Sequence, residues 1–167
     1  MSDIRTIPLI ARRATPEAMA PYGALVEPGI DGTPFGEVDA RLELARGTPR
    51  LYIMKLHRKP LHVTAITRHA AVTQCLAAMG GAEWLIALAP PGNPDLPGAE
   101  PDPERVEAFR IPGDRAVALH RGTWHAGPYL LDPTVDFLNL ELSDTNLVDH
   151  HTVRLDRRFG VAFEIIP

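Results

Sequence analysis

Two stretches of the chain carry residue types that could do chemistry at a close spacing. The first is "HRGTWH" at 120–125, which places two of the seven histidines and one of the two tryptophans around a glycine. The second is "TRHAAVTQ" at 67–74, with His69 and Gln74 five positions apart in sequence. An imidazole near its free pKa of about 6.5 can move a proton or ligate a metal. A glycine bend ahead of His125 would fix the next strand so that the ring projects into an apolar interior. His69 and His125 are therefore candidate bases or metal ligands, and Gln74 and His120 complete the candidate catalytic set. Arg121 offers a planar fork for a carboxylate, with Arg68 and Lys55 as the other candidate cations. Trp124 is a candidate pocket wall. His57, His62, His150 and His151 carry no comparable context, and adjacent side chains at 150 and 151 point to opposite faces of a strand.

The elements that must position these residues are read from the rest of the chain. Its 167 residues are 45% hydrophobic and 23% charged, with a net charge of −4. That suits one globular domain spanning 1–167 with a single core. The acidic balance and scattered basic residues give no footprint for nucleic acid. No apolar run approaches the roughly 18 residues of a membrane helix. The start resembles no signal peptide, and a lone cysteine allows no internal disulfide, so a cytoplasmic protein is expected.

Seventeen prolines and thirteen glycines interrupt the chain often. Frequent turns argue for many short strands. One short helix is expected at "TPEAMAPYG", 15–23, with Thr15 as its cap, Pro16 in its first turn and Gly23 at its end. About ten strands follow at the spacing of a sandwich or barrel. A weak strand is expected at 40–44, and another continuous one at 151–156. "EWLIALAP", 83–90, is apolar enough to be buried on both faces or at a dimer contact. Residues 90–104 form a proline-rich surface loop. The fold class expected is all-β.

The turn, strand, glycine bend and histidine of 113–125 resemble the second motif of the cupins. Thr67, His69 and Gln74 resemble a degraded first motif, which leaves a weak ligand set. The architecture expected is thus a cupin-like jelly-roll β-barrel with one short N-terminal helix.

A narrower resemblance is to the ureidoglycolate lyase family. "TPEAMAPYG", "ITRHAAVTQCLAAM", "HRGTWHAGPYLL" and "DFLNLELSDTN" resemble that family's segments in the same order from about residue 6 to 148. His69, Gln74, His120, Arg121, Trp124, His125, Asp136 and Phe137 match positions of its pattern. The resemblance implies a homodimer that cleaves (S)-ureidoglycolate to glyoxylate and urea in allantoin and purine catabolism. It also implies a divalent metal, nickel by family and otherwise zinc or manganese, held here by His69 and His125. No organic cofactor is implied, and the partner expected is a small carboxylate. Two departures stand out. Ala70-Ala71-Val72 replaces the family's Pro-Leu-Gly, and Glu141-Leu142 replaces its Asp-Arg. The second departure keeps open a non-catalytic barrel that binds some other small acid. The other rival is a different metal-dependent cupin enzyme, which would need three or four good ligands.

Overall fold

The structure is a computed structural model and describes residues 4–167. In chain order its strands are β1 (Arg5–Ile10), β2 (Arg12–Arg13), β3 (Gly23–Val26), β4 (Pro49–His57), β5 (His62–Val63), β6 (Ala65–Arg68) and β7 (Gln74–Ala78). They continue as β8 (Gly81–Ala89), β9 (Glu107–Gly113), β10 (Ala116–Leu119), β11 (Trp124–Leu130), β12 (Thr134–Leu142), β13 (His151–Arg154) and β14 (Val161–Ile166). Three short α-helices, α1 (Pro16–Met19), α2 (Thr145–Val148) and α3 (Leu155–Phe159), and a 3-10 turn at Pro103–Arg105 interrupt them.

The strands form three sheets. Their orders are β1-β14-β5, β3-β10-β7-β12-β4, and β13-β6-β11-β8-β9-β2. Residues 84–89 of β8 explain the layering. All six are fully buried, although successive side chains of a strand point to opposite faces. Trp84, Ile86 and Leu88 pack with Leu76, Phe109, Val117 and Phe137, between the five- and six-stranded sheets. Leu85, Ala87 and Ala89 pack with Val63, Leu155, Phe163 and Ile165, under the three-stranded sheet and α3. The apolar run is thus accounted for within one chain, as the centre of a sheet covered on both sides.

The all-β class holds, and the closed jelly-roll barrel does not form. The five- and six-stranded sheets face each other as an open sandwich and share no ladder. Three of their four edge strands, β2, β3 and β13, are only two to four residues long, too short to carry hydrogen bonds around a corner to the longer fourth edge, β4. The irregular connection 27–48 also provides no strand to bridge the edges, and the strand expected at 40–44 is absent there.

Local chemistry fits the short elements. Thr15 accepts a hydrogen bond from the Ala18 N–H at 3.2 Å and Pro16 opens α1, as the sequence predicts. Residues 151–156 do not run as one strand: β13 stops at Arg154, and α3 turns until Gly160 closes it in the left-handed region at φ 67°. Among the described residues, no helix is long and apolar enough to cross a membrane.

Candidate active site

The bend 120–123 brings the two chemical stretches together. Gly122 sits at φ 80°, a conformation that side chains resist. Its N–H donates to the His69 carbonyl at 2.7 Å. The same bend is tied to the α1–β3 connection, because the His120 N–H and the Thr123 hydroxyl both donate to the Tyr22 carbonyl, at 2.9 and 2.7 Å. His125 then enters β11, where it pairs with Thr67 on β6 and Leu88 on β8.

As a result the rings of His69 and His125 lie 5.0 Å apart. Both are buried. His69 Nδ1 is 2.6 Å from the Asp149 carbonyl, and His125 Nδ1 is 3.2 Å from the Thr123 carbonyl. A carbonyl only accepts, so each Nδ1 carries the proton and each Nε2 keeps a free lone pair. Burial depresses the pKa of both rings. His125, which also feels His69, is held at about 3. Both are neutral at physiological pH, ready to accept a proton or ligate a cation.

A third ring joins them. His150 lies 5.4 Å from His69, centroid to centroid. Asp149 delivers it. Its carboxylate accepts from the Ala70 and Ala71 N–H groups at 2.7 and 2.8 Å, while its carbonyl holds His69. A proline at position 70, which the resemblance would place there, has no N–H to give; alanine supplies one of the two N–H groups of this clamp.

Two adjoining hollows share His125, His150, Lys59 and Gly127. One, of about 230 Å³, lies between the facing sheets and is lined also by Met54, Leu56, His69, Gln74 and Asn146. The other, of about 340 Å³, opens toward His62, Thr64 and Tyr129. Among the described residues, no aspartate or glutamate lines either hollow, and Lys59 is the one lysine or arginine that does. Its ammonium sits 4.5 Å over the Tyr129 ring, and desolvation holds its pKa below that of an ordinary lysine.

Gln74 sits at the start of β7 and lines the smaller hollow. Its Nε2 donates to Asn139 Oδ1 and Glu141 Oε2, and its Oε1 is buried without a partner.

The remaining sequence candidates lie elsewhere. His120 is exposed, with Nε2 at 3.2 Å from the Ala20 carbonyl, and does not reach the hollows. Arg121 is anchored by the Ala70 carbonyl at 2.7 Å and Asp95 at 2.6 Å, with Glu43 at 3.6 Å. Its fork is therefore occupied by the protein itself. Arg68 donates to the Asn93 and Leu96 carbonyls and to His151, which pins the proline-rich loop. Trp124 packs against Arg68 and His151 and forms core rather than pocket wall. Lys55 pairs with Asp136 at 3.0 Å on the outside of the sheet. Sequence reasoning missed Lys59 and His150. The signal for Lys59 was a cation beside the proline that breaks 50–57 from 60–67. The signal for His150 was only the unusual pair His150-His151.

The metal implied by the resemblance meets a two-imidazole site. Among the described residues, no three His, Cys, Asp or Glu side chains converge closely enough to hold an ion. The Nε2 lone pairs of His69 and His125 suit nickel or zinc in donor type, with any further ligands coming from outside the chain.

Neutral imidazoles converging at a half-open hollow of an all-β frame make a site of the kind enzymes use for proton transfer or metal ligation. Residues 34–161 match the sequence model of the family described as Ureidoglycolate lyase. The chain belongs to that family. The matched span contains both histidine stretches and leaves α1 outside it. Similar proteins named Ureidoglycolate lyase include one from Pseudomonas fluorescens (strain SBW25), 28% identical over 169 residues, covering 92% of this chain and 96% of that protein. One from Pseudomonas entomophila is 28% identical over 158 residues, covering 86% and 90%. One from Azotobacter vinelandii is 27% identical over 138 residues, covering 75% and 80%.

Proposed function

We propose that this protein cleaves the hemiaminal C–N bond of (S)-ureidoglycolate, releasing glyoxylate and urea, as a step of allantoin and purine catabolism. The single observation that carries the reading is the convergence of His69 and His125, each with Nε2 free, in a chain of this family.

The substrate carbon bears a hydroxyl, a carboxylate and a urea nitrogen. In the proposed reaction His125 Nε2 takes the hydroxyl proton. The O–H electrons form the carbonyl of glyoxylate, and the C–N electrons leave on nitrogen. His150, beside His69, returns a proton there, and urea departs with its atoms balanced. Lys59 holds the carboxylate, since no carboxylate of the protein competes for it among the lining residues. A divalent ion such as nickel, zinc or manganese, held by His69 and His125, would supply Lewis-acid polarisation of the same hydroxyl in place of the base.

The protein acts in the cytoplasm as a homodimer in this reading. The outer face of the five-stranded sheet supports the dimer. Leu51 and Ile53 are 63% and 56% exposed there, and an apolar groove runs between Val26, Leu42, Ala118 and Leu138. Incubation with racemic ureidoglycolate tests the activity. Equal amounts of glyoxylate and urea, from one enantiomer, are expected. Failure to form either product refutes it.

A further inference from the structure

Behind the histidines lies a buried carboxylate with an unusual set of neighbours. Glu141 is 1% exposed. Its Oε1 accepts from the Tyr52 hydroxyl and from Asn146 Nδ2, both at 3.1 Å. Its Oε2 accepts from Gln74 Nε2 at 3.2 Å and Asn139 Nδ2 at 3.1 Å. All four bonds come from neutral groups. Asn139 Oδ1 accepts a second bond from Gln74 Nε2, at 3.3 Å.

This arrangement dictates polarity. A carboxylate only accepts, so every amide around it must turn its NH₂ group inward. Asn139 is oriented in this way, and its oxygen then demands an N–H from Gln74. Glu141 makes the same demand directly. The Gln74 amide therefore cannot flip without placing its oxygen against two acceptors. Gln74 lines the smaller hollow, and with Nε2 occupied, Oε1 is the one polar atom it can offer a ligand. That atom is buried and unpartnered, a state that costs stability unless a ligand relieves it.

We infer that Glu141 is a positioning residue for substrate recognition: it locks the Gln74 amide so that the hollow presents a fixed acceptor to the N–H groups of a ureido ligand. The inference rests on the ureidoglycolate reading and adds the basis of selectivity. A ligand with a ureido NH₂ satisfies Gln74 Oε1, and one with carbon in its place leaves the orphan standing.

Two small acids separate these outcomes. Oxalurate carries the carboxylate and the ureido group. Levulinate keeps the carboxylate and the distal carbonyl but has carbon at both nitrogen positions. Inhibition of urea release by each is measured for the wild type, Glu141→Gln and Gln74→Met, with melting temperatures recorded alongside. The wild type should prefer oxalurate by about tenfold, the worth of one or two neutral hydrogen bonds. Both variants should bring that preference close to one while levulinate inhibits them as it does the wild type. If a variant does not fold, the other carries the test. Equal weakening of both acids overturns the positioning role while urea release by the wild type keeps the parent reading intact. If the wild type releases no urea and binds neither acid, both fall together.

Discussion

His69 and His125 stand with their rings 5.0 Å apart, and each turns Nδ1 to a backbone carbonyl. Neither ring needs the other as a hydrogen-bond partner, so both Nε2 atoms remain available. This holds them as a pair of neutral acceptors. Replacing His125 by alanine should lower kcat/KM for urea release by about 10²- to 10⁴-fold, the usual scale of a lost acid–base group. Turnover at the wild-type rate would remove His125 from the chemistry.

Burial of these rings also sets an acid limit on stability. The unfolded chain protonates histidine near pH 6.5, whereas folded His125 resists until about pH 3. Between those values the unfolded state binds the extra proton, so stability falls as the pH falls through that window. At pH 5 His125 alone should lower stability by about 2 kcal/mol relative to pH 8, and His69 acts in the same direction. Urea denaturation of chelator-treated protein at the two pH values checks this against His125→Asn. Identical pH slopes for variant and wild type would contradict it.

Lys59 is expected to govern substrate affinity. Lys59→Ala should raise KM by about 10- to 100-fold, the scale of a lost charged hydrogen bond, with kcat changed much less. Lys59→Arg should recover part of the loss. An unchanged KM in the alanine variant would assign the carboxylate to another group.

The clamp on Asp149 makes a separate prediction. Ala70→Pro removes the N–H that reaches Asp149 Oδ1 at 2.7 Å. Stability should fall by about 2 kcal/mol, and kcat should fall with it as His69 and His150 lose their common support. A variant as stable and active as the wild type would show that Asp149 does not place these rings.

Association is tested on the outer sheet face. Ile53 is 56% exposed and lies opposite Leu138 on the neighbouring strand. Ile53→Glu should halve the mass seen by analytical ultracentrifugation, because a charge in an apolar contact is costly. A wild-type protein that sediments as a monomer would end the homodimer reading.

Much of this molecule is legible in its sequence, and the rest depends on the path of loops. The strands are readable because alternation and turn residues act locally, and Thr15 and Pro16 mark α1 for the same reason. The meeting of His69 with His125 is readable because the glycine bend fixes where β11 begins. Arg121 is misread because the partner of a guanidinium depends on where Asp95 falls within the proline-rich loop. His150 is invisible because its place depends on a side-chain-to-backbone clamp between distant segments. Lys59 sits at a turn whose direction the sequence does not reveal. Barrel closure fails at the short edge strands β2, β3 and β13, whose lengths the strand count does not reveal.

The fully covered segment 84–89 of β8 has a consequence for handling the protein. Residues 84–89 carry no charge and no proline, and they favour extended pairing. While folded they meet only their own sheet and the layers above and below. Heating that strips the three-stranded layer lays this segment bare to other copies in the same state. Thermal denaturation should then end in precipitate rather than in a recoverable coil, and shelf life will be limited by the rate of that opening.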